Sequence, residues 1–389
     1  MKKTRILFSF HNSDYYSGAT RSLLDIIDGL LLDDKYCIYA LFPSRNGTAV
    51  DYLAEKNILI LESGFFPLID SVNDSILKRV AKIPVHIFHM LRTVACIKKL
   101  KSFFSTEKID AVYCNTSINY TGALIQKYYK INNIWHFREY RIEDHGILIF
   151  GGEKHLKKIA NKYSKYLIFI SKSMYDYHKS IGYDSSKMIM AYNDVSPKYI
   201  VKRDWDKYNE VLNILIAGDV KEGKGQLDVI KALKLCRERG HNFRLFIAGQ
   251  FKTSEYTNSI LEYISQNNLE NFVKVLGLVQ DMNSLRATCD IGVVASRKEA
   301  LGRVTIEGML AGLSMIGSKT GGTIELIENG VNGLLYEVGN VEELASRLIY
   351  LDSNRNAMIE MAKQGYNFSI SQFASGNCKS TVARLLDEV

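Results

Sequence analysis

Glu299 and Glu307 stand with seven residues between them, and Gly302 follows shortly after the first. The run from Asp290 to Ser296 reads as a buried strand ending in small residues, and Val304 to Ala311 reads as a helix. That spacing puts Glu299 on the loop at the carboxyl end of a strand, where ligands bind in open parallel sheets. Glu307 falls about one turn inside the following helix. Carboxylates so placed can accept hydrogen bonds from sugar hydroxyls. The amides at the helix start, from Gly302 through Arg303 to Val304, can hold phosphate oxygens. One short segment thus offers groups for both halves of a nucleotide sugar. The plain alternative is that glutamates in a first helical turn suit the helix dipole.

A second candidate is the stretch Gly218-Asp-Val-Lys-Glu-Gly223-Lys224-Gly225. It follows a strand and precedes a helix, as a Walker phosphate loop does. Gly225 stands where that motif needs a serine or threonine for magnesium, which argues against an NTPase. Lys224 at the mouth of the crevice can instead neutralise a diphosphate leaving group as a point charge.

The N-terminal half offers weaker signals. Ser17-Gly18-Ala19 lies between the first strand and a helix, so Gly18 permits close approach of a phosphate or an acceptor, or makes a plain tight turn. Trp135-His136-Phe137-Arg138-Glu139 ends a buried strand, and His136 is either a functional group or a satisfied core histidine. Asn115-Thr116-Ser117 and Ser171-Lys172-Ser173 also close strands. Asn115 and Ser171 are candidates for the acceptor side, with turn and cap chemistry as the competing reading for both, as for Asn193-Asp194.

These residues need elements to hold them. Strand-like runs fall near Ile6–Phe10, Cys37–Phe42, Ile58–Leu61, Ala111–Cys114, Ile134–Phe137, Leu167–Ile170 and Met188–Ala191. Others fall near Leu212–Ala217, Phe243–Ala248, Phe272–Leu276, Ile291–Ala295 and Ser314–Gly317. Helical patterns fill the gaps, and such alternation specifies an α/β protein with parallel sheets covered by helices. Residues 196–209 are polar, lack periodicity and read as a linker. The expected division is an N-terminal Rossmann-like domain over 1–200, a second over 201–369, and a terminal helix over 370–389.

The 389 residues exceed one ordinary core and suit two domains. With 47% hydrophobic and 24% charged residues, the composition is that of an ordinary globular protein. The net charge of +8 admits nucleic acid, an anionic membrane or an anionic substrate. No nucleic-acid recognition motif accompanies it. The six cysteines are scattered, with no Cys-x-x-Cys pair and no histidine cluster of zinc spacing, and read as free thiols in a reducing compartment. The N-terminus reads as a first strand and not a signal peptide, and no apolar stretch reaches the ~18–20 residues of a membrane span. The expected location is cytoplasmic, at most peripheral on the inner face of the cell membrane. Residues 74–101 form a long helical pattern, rich in lysine and arginine with apolar residues between them, and Pro84 is expected to break it. It reads as an element for an anionic membrane surface, or as a solvated face.

The block Ser296, Glu299, Leu301-Gly302, Glu307-Gly308, Gly312-Leu313-Ser314-Met315 and Gly321-Gly322 with Glu325 resembles the signature of the retaining glycosyltransferases of family 4. That pattern runs Ser-x-x-Glu-x-Phe-Gly-x-x-x-x-Glu-Ala, then Gly-x-Pro-Val, then Gly-Gly-x-x-Glu. Here Leu301 replaces Phe, Gly308 replaces Ala, and Leu313-Ser314-Met315 lacks the proline. The family's Gly-Arg … Lys-Gly appears as Gly218 and Lys224-Gly225, with Asp219 in place of the arginine; Lys221 and Arg303 are candidate substitutes. Asn193-Asp194 resembles the Asn-Gly before the family's linker.

The resemblance implies the GT-B fold: two Rossmann-like domains with parallel sheets facing across a cleft, and a C-terminal helix crossing back to the first. It implies transfer of a sugar from a nucleotide-sugar donor, UDP-linked by expectation, to a glycan or lipid-linked saccharide in surface polysaccharide assembly. Glu299 would bind donor-sugar hydroxyls, Glu307 the ribose, Lys224 the diphosphate, and His136 would face the donor sugar. Leu301, Gly302, Arg303, Val304, Gly218 and Gly18 would complete donor binding. No metal or other cofactor is required by this reading. A nucleotide-sugar epimerase of similar fold, which would release an altered free nucleotide sugar, is one alternative. A non-catalytic glycan-binding partner of another transferase is the second.

Overall fold

A computed structural model describes residues 3–205 and 207–389. The chain divides into two compact units. The first comprises the residues up to Asp194 together with Gly376–Val389, and the second is Val195–Ser375.

The first unit is built on strands β1 (Thr4–Ser9), β2 (Tyr36–Phe42), β3 (Leu59–Glu62), β5 (Ala111–Asn115), β6 (Asn132–Phe137), β8 (Tyr166–Phe169) and β9 (Met188–Met190). They pair in the order β3-β2-β1-β5-β6-β8-β9, parallel throughout. Ile6, Leu7 and Phe8 are all fully buried, which is why the strand reads as an unbroken apolar run: both sheet faces are covered. On one face Ile6 and Phe8 pack with Ile27 and Leu30 of the helix Gly18–Leu31, and with Val382 and Leu385. On the other, Leu7 and Val112 pack with Ile97 and Ile125. A separate antiparallel pair, β4 (Ile69–Ser71) with β7 (Ile147–Ile149), went unread in the sequence.

Three expectations are corrected in this unit. Pro84 does not break the helix, which runs unbroken over Ile76–Lys99. Proline forfeits one bond, to the carbonyl of Val80, and Val80 lies on the solvent side where water can replace it. As one continuous element of 24 residues containing an 18-residue stretch of mean hydropathy 1.3, this helix is long and apolar enough to cross a membrane by length and composition, contrary to the reading of the sequence. The C-terminal segment is also not one helix. Arg355–Phe373 ends in the second unit, and after a turn at Gly376 (φ 79°) a separate helix, Asn377–Asp387, joins the core of the first. Asp194 caps it, its carboxylate accepting from the amides of Cys378 (3.0 Å) and Lys379 (2.7 Å). That gives the aspartate found in place of the family's glycine a structural task. Burial pushes its pKa up, against the pull of those amides.

The second unit carries β10 (Leu212–Ala217), β11 (Phe243–Ala248), β12 (Val273–Gly277), β13 (Ile291–Val294), β14 (Ser314–Ser318) and β15 (Leu334–Tyr336). The order β12-β11-β10-β13-β14-β15, all parallel, is that of a dinucleotide-binding half-sheet doubled about its first strand. β15 is the one strand of this sheet that the sequence reading missed. The segment read as a linker is docked on this unit. Arg203 donates to the carbonyls of Ala311 and Arg286 (2.9 Å each), and Trp205 meets Tyr366 edge to face.

Candidate active site

Strand order makes the second unit's switch point the gap between β10 and β13, since chain connections leave those neighbours in opposite directions. Lys224 sits on the loop after β10 and Glu299 on the loop after β13. The loops are bound together: the Arg297 amide donates to the Gly223 carbonyl at 2.8 Å. Gly225 (φ 67°) makes the approach possible, because a Cβ there would stand 2.3 Å from the Ala295 carbonyl oxygen. The same constraint excludes the serine or threonine that a Walker loop requires. Lys224 Nζ and Glu299 Oε1 form an ion pair, largely enclosed, and Ser296 Oγ donates to the same carboxylate oxygen at 2.7 Å. Glu299 is therefore held from two sides.

Behind the glutamate loop lies Gly321-Gly322. The Gly322 amide donates to the Glu299 carbonyl at 2.8 Å, and a Cβ on Gly322 would fall 2.4 Å from the Leu301 Cα. Leu301 is enclosed against this turn. Gly302 (φ 96°) then leads into the helix Arg303–Leu310, with Val304 in its first turn.

Glu307 lies in that helix and is almost wholly buried. Arg286 pairs with one of its oxygens, and Arg303 Nε donates to the other at 2.8 Å. The Tyr199 ring lies 5.6 Å from the Arg286 guanidinium and 5.3 Å from that of Arg303. Arg303, one candidate for the missing phosphate-binding arginine, thus already holds Glu307. Arg286 was not found in the sequence. Its only signal is a charged residue on an apolar register, between Leu285 and Ala287, in the short helix Met282–Ala287.

The first unit has its own switch point, between β1 and β5. Asn115 ends β5, and its Nδ2 donates to the Ala19 carbonyl beside Gly18 at 3.0 Å. Arg138 bridges the side-chain oxygens of Asn115 and Asn193. Glu139 accepts from the amide and hydroxyl of Ser117 at 2.8 and 2.6 Å. His136 is fully buried; its Nδ1 meets the Tyr113 hydroxyl, and its Nε2 has no hydrogen-bond partner among the described residues. Burial, then the nearby Arg138, holds its pKa well below the ordinary value, so it is neutral. Ser171 is occupied as a helix cap, accepting from the Met174 amide at 3.2 Å. A Cβ on Gly18 would meet nothing within 4 Å, so sterics alone do not demand glycine there.

Among the described residues, no three histidine, cysteine, aspartate or glutamate side chains gather as a metal-binding group.

Comparison with known proteins supplies the family. Residues 199–368, nearly all of the second unit, match the family described as "Glycosyl transferases group 1". The chain is similar to the uncharacterised glycosyltransferase MJ1607 of Methanocaldococcus jannaschii, 24% identical over 82% of this chain and 84% of that one. It is also similar to the capsular polysaccharide biosynthesis glycosyltransferase CapM of Staphylococcus aureus, 25% identical over 44% of this chain and 45% of that one. Most of the curated relatives it matches are spanned over about half their length or less. Among solved structures, Anabaena HepE in complex with UDP and glucose superimposes with a TM-score of 0.79 at 22% identity, over 99% of this chain and 100% of that one. That likeness establishes the GT-B fold. With the family match confined to residues 199–368, the unit that holds Lys224, Glu299 and Glu307 is the part of the chain similar to the group 1 glycosyl transferases, set in a chain of GT-B fold.

Proposed function

We propose that the chain is a retaining glycosyltransferase, moving a hexose from a UDP-linked donor to a saccharide acceptor, free or lipid-linked, in surface polysaccharide assembly. The observation that carries the site assignment is the Lys224–Glu299 ion pair at the switch point of the second sheet. In this reading the arriving donor replaces each partner of the pair. The diphosphate takes Lys224, and the sugar hydroxyls take Glu299. Glu307 accepts from the ribose hydroxyls, and the first turn of Arg303–Leu310 faces phosphate oxygens. The bond from the sugar's anomeric carbon to phosphate breaks, and the acceptor oxygen bonds to that carbon on the same face. The acceptor's proton passes to the departing phosphate oxygen. The protein's part is to stabilise charge growing on the diphosphate, which calls for a fixed cation more than for a nucleophile. The polysaccharide context rests on relatives such as CapM, and the UDP donor on the ligand of HepE.

A thermal-shift series with UDP-, GDP-, ADP- and CMP-sugars tests the donor. The matching one at ~100 times its dissociation constant should stabilise the protein by about 2.7 kcal/mol. Stabilisation by GDP- or ADP-sugars alone would refute the UDP assignment. Release of an altered free nucleotide sugar without acceptor would favour an epimerase.

A further inference from the structure

The helix Ile76–Lys99 presents its apolar side to solvent. Its inward side is fixed by His86, Thr93 and Ile97, all buried. His86 Nε2 lies 3.2 Å from Asp70, Thr93 donates to the Gly64 carbonyl at 3.3 Å, and Ile97 joins the core with Leu7 and Val112. On the opposite side, steps of three and four residues line up Leu77, Val80, Pro84, Phe88 and Leu91. Leu77 is 82% exposed, Phe88 62%, Leu91 58% and Val80 56%. A surface helix of a globular protein ordinarily points such a stripe at the core. An apolar patch of this extent marks a surface that something covers.

Charge decides what covers it. Ile76–Lys99 contains no aspartate or glutamate and six lysines and arginines. Lys78 pairs with Asp74, and Lys82 with both Asp74 and Asp70. Arg92, Lys98 and Lys99 are exposed, and none forms an ion pair among the described residues. A second copy of the chain would bring no acidic side chain on this face to meet them. A bilayer with anionic headgroups meets both features, since the acyl boundary takes the stripe and the headgroups take the cations.

We infer that the outward face of Ile76–Lys99 is a docking surface for an anionic bilayer, with the helix lying in the interfacial plane. It does not cross the bilayer, because His86, Thr93 and Ile97 hold its other side to the fold. This stands apart from the donor reading, since membrane binding needs no nucleotide sugar.

Flotation of the full-length protein with vesicles tests it, using phosphatidylcholine alone and mixed with phosphatidylglycerol. At low salt the anionic vesicles should bind roughly tenfold or more tightly than the neutral ones, each cation near the surface contributing about a factor of five. The double variant Phe88→Asp, Leu91→Asp alters two exposed side chains and should unfold like the parent while losing most of this binding. The triple variant Arg92→Ser, Lys98→Ser, Lys99→Ser should bind anionic and neutral vesicles alike. Absence of parental binding at low salt would overturn the inference, as would equal binding to both lipids or undiminished binding by the double variant. A dimer that the double variant abolishes would assign the face to a second copy instead.

Discussion

The Met315 sulfur stands 2.6 Å from where a Cβ on Gly308 would lie. A Cβ on Gly292 would meet the same sulfur at 2.5 Å. The group 1 pattern places alanine after the second glutamate and valine at the end of Gly-x-Pro-Val. Here both positions depart, to Gly308 and Met315, and the contact makes them one change: methionine fills the volume that glycine leaves. Ala is the better helix former by ~1 kcal/mol. Overpacking costs about 1–3 kcal/mol. Gly308→Ala alone should therefore destabilise the second unit modestly. Met315→Val alone should destabilise it through a cavity, and the pair together should recover most of the loss. Urea unfolding of all four proteins closes a double-mutant cycle. Strict additivity would mean that the two departures are independent.

Glu307 joins a buried cluster with Arg286 and Arg303. Removing one partner of a buried pair costs ~3–5 kcal/mol, because the remaining charge is uncompensated. Glu307→Ala should lose stability on that scale as well as donor affinity, and Glu307→Gln, which keeps the volume and an acceptor, should lose less. Unfolding followed by emission from Trp205, in the second unit, gives the first quantity, and donor titration of the folded fraction gives the second. A Glu307→Ala protein as stable as the parent would show that water reaches the pair.

Most of the architecture was legible because parallel strands buried on both faces are continuous apolar runs, as Leu212–Ala217 and Phe243–Ala248 are. Leu334–Tyr336, Ile69–Ser71 and Ile147–Ile149 were not, since three residues carry no period, though Met188–Met190, equally short, was found from the apolar run that continues to Ala191. Pro84 and Gly376 misled in opposite directions. A solvated carbonyl tolerates proline in a helix, while a left-handed glycine splits what periodicity joins. At the site, Glu299, Glu307 and Lys224 were legible from local grammar, the strand end and helix start around each. Their partners were not. Arg286 lies 21 residues before Glu307 in the chain, and Asp194 is 184 residues from the amide it caps. Only the tertiary fold sets such pairs.

In the proposed site Lys224 is the cation that would meet charge growing on the diphosphate, and Glu299 pairs with it in the absence of donor. Removing one preorganised charge-stabilising group costs about 10²–10³ in turnover. Lys224→Ala should lower kcat on that scale, with a smaller effect on donor affinity. Glu299→Gln should lower both, since it loses a sugar contact and frees the lysine. Steady-state kinetics on folded variants decides, and parental turnover in Lys224→Ala would move the chemistry elsewhere.

The same charge logic makes a statement about metals. If Lys224 and a helix N-terminus face the phosphates as proposed, chelation with EDTA should leave initial rates essentially unchanged. Loss of activity that magnesium or manganese restores would show that the diphosphate needs a cation this chain does not supply.

His136 and His178 of the first unit are buried in neutral form, and half-buried His11 is held neutral with them. Burial, then a neighbouring arginine (Arg138 for His11, Arg141 for His178), brings both down to about 3, and His136 likewise lies well below its ordinary value. In the unfolded chain each titrates near ~6.5. Below that pH the unfolded state binds protons that the folded state refuses, so stability rises with pH across the interval. The contribution is complete above the unfolded value and is lost as pH falls through it. At pH ~5 the loss is about 2 kcal/mol each for His11 and His178, 1.5 pH units at 1.36 kcal/mol per unit, and His136 acts in the same direction. The chain's two tryptophans make this measurable, because Trp135 lies in the first unit and Trp205 in the second. In a Trp205→Phe background, Trp135 emission follows the first unit alone. Its urea midpoint should hold steady from pH ~8 to 7 and fall steeply from ~6.5 to 5. His178→Phe, placed among Phe137, Phe169 and Tyr183, should remove about one proton from that slope. A midpoint flat down to pH ~5 would mean that these histidines are protonated inside the fold, and His136 could then no longer be counted as a neutral group beside Arg138.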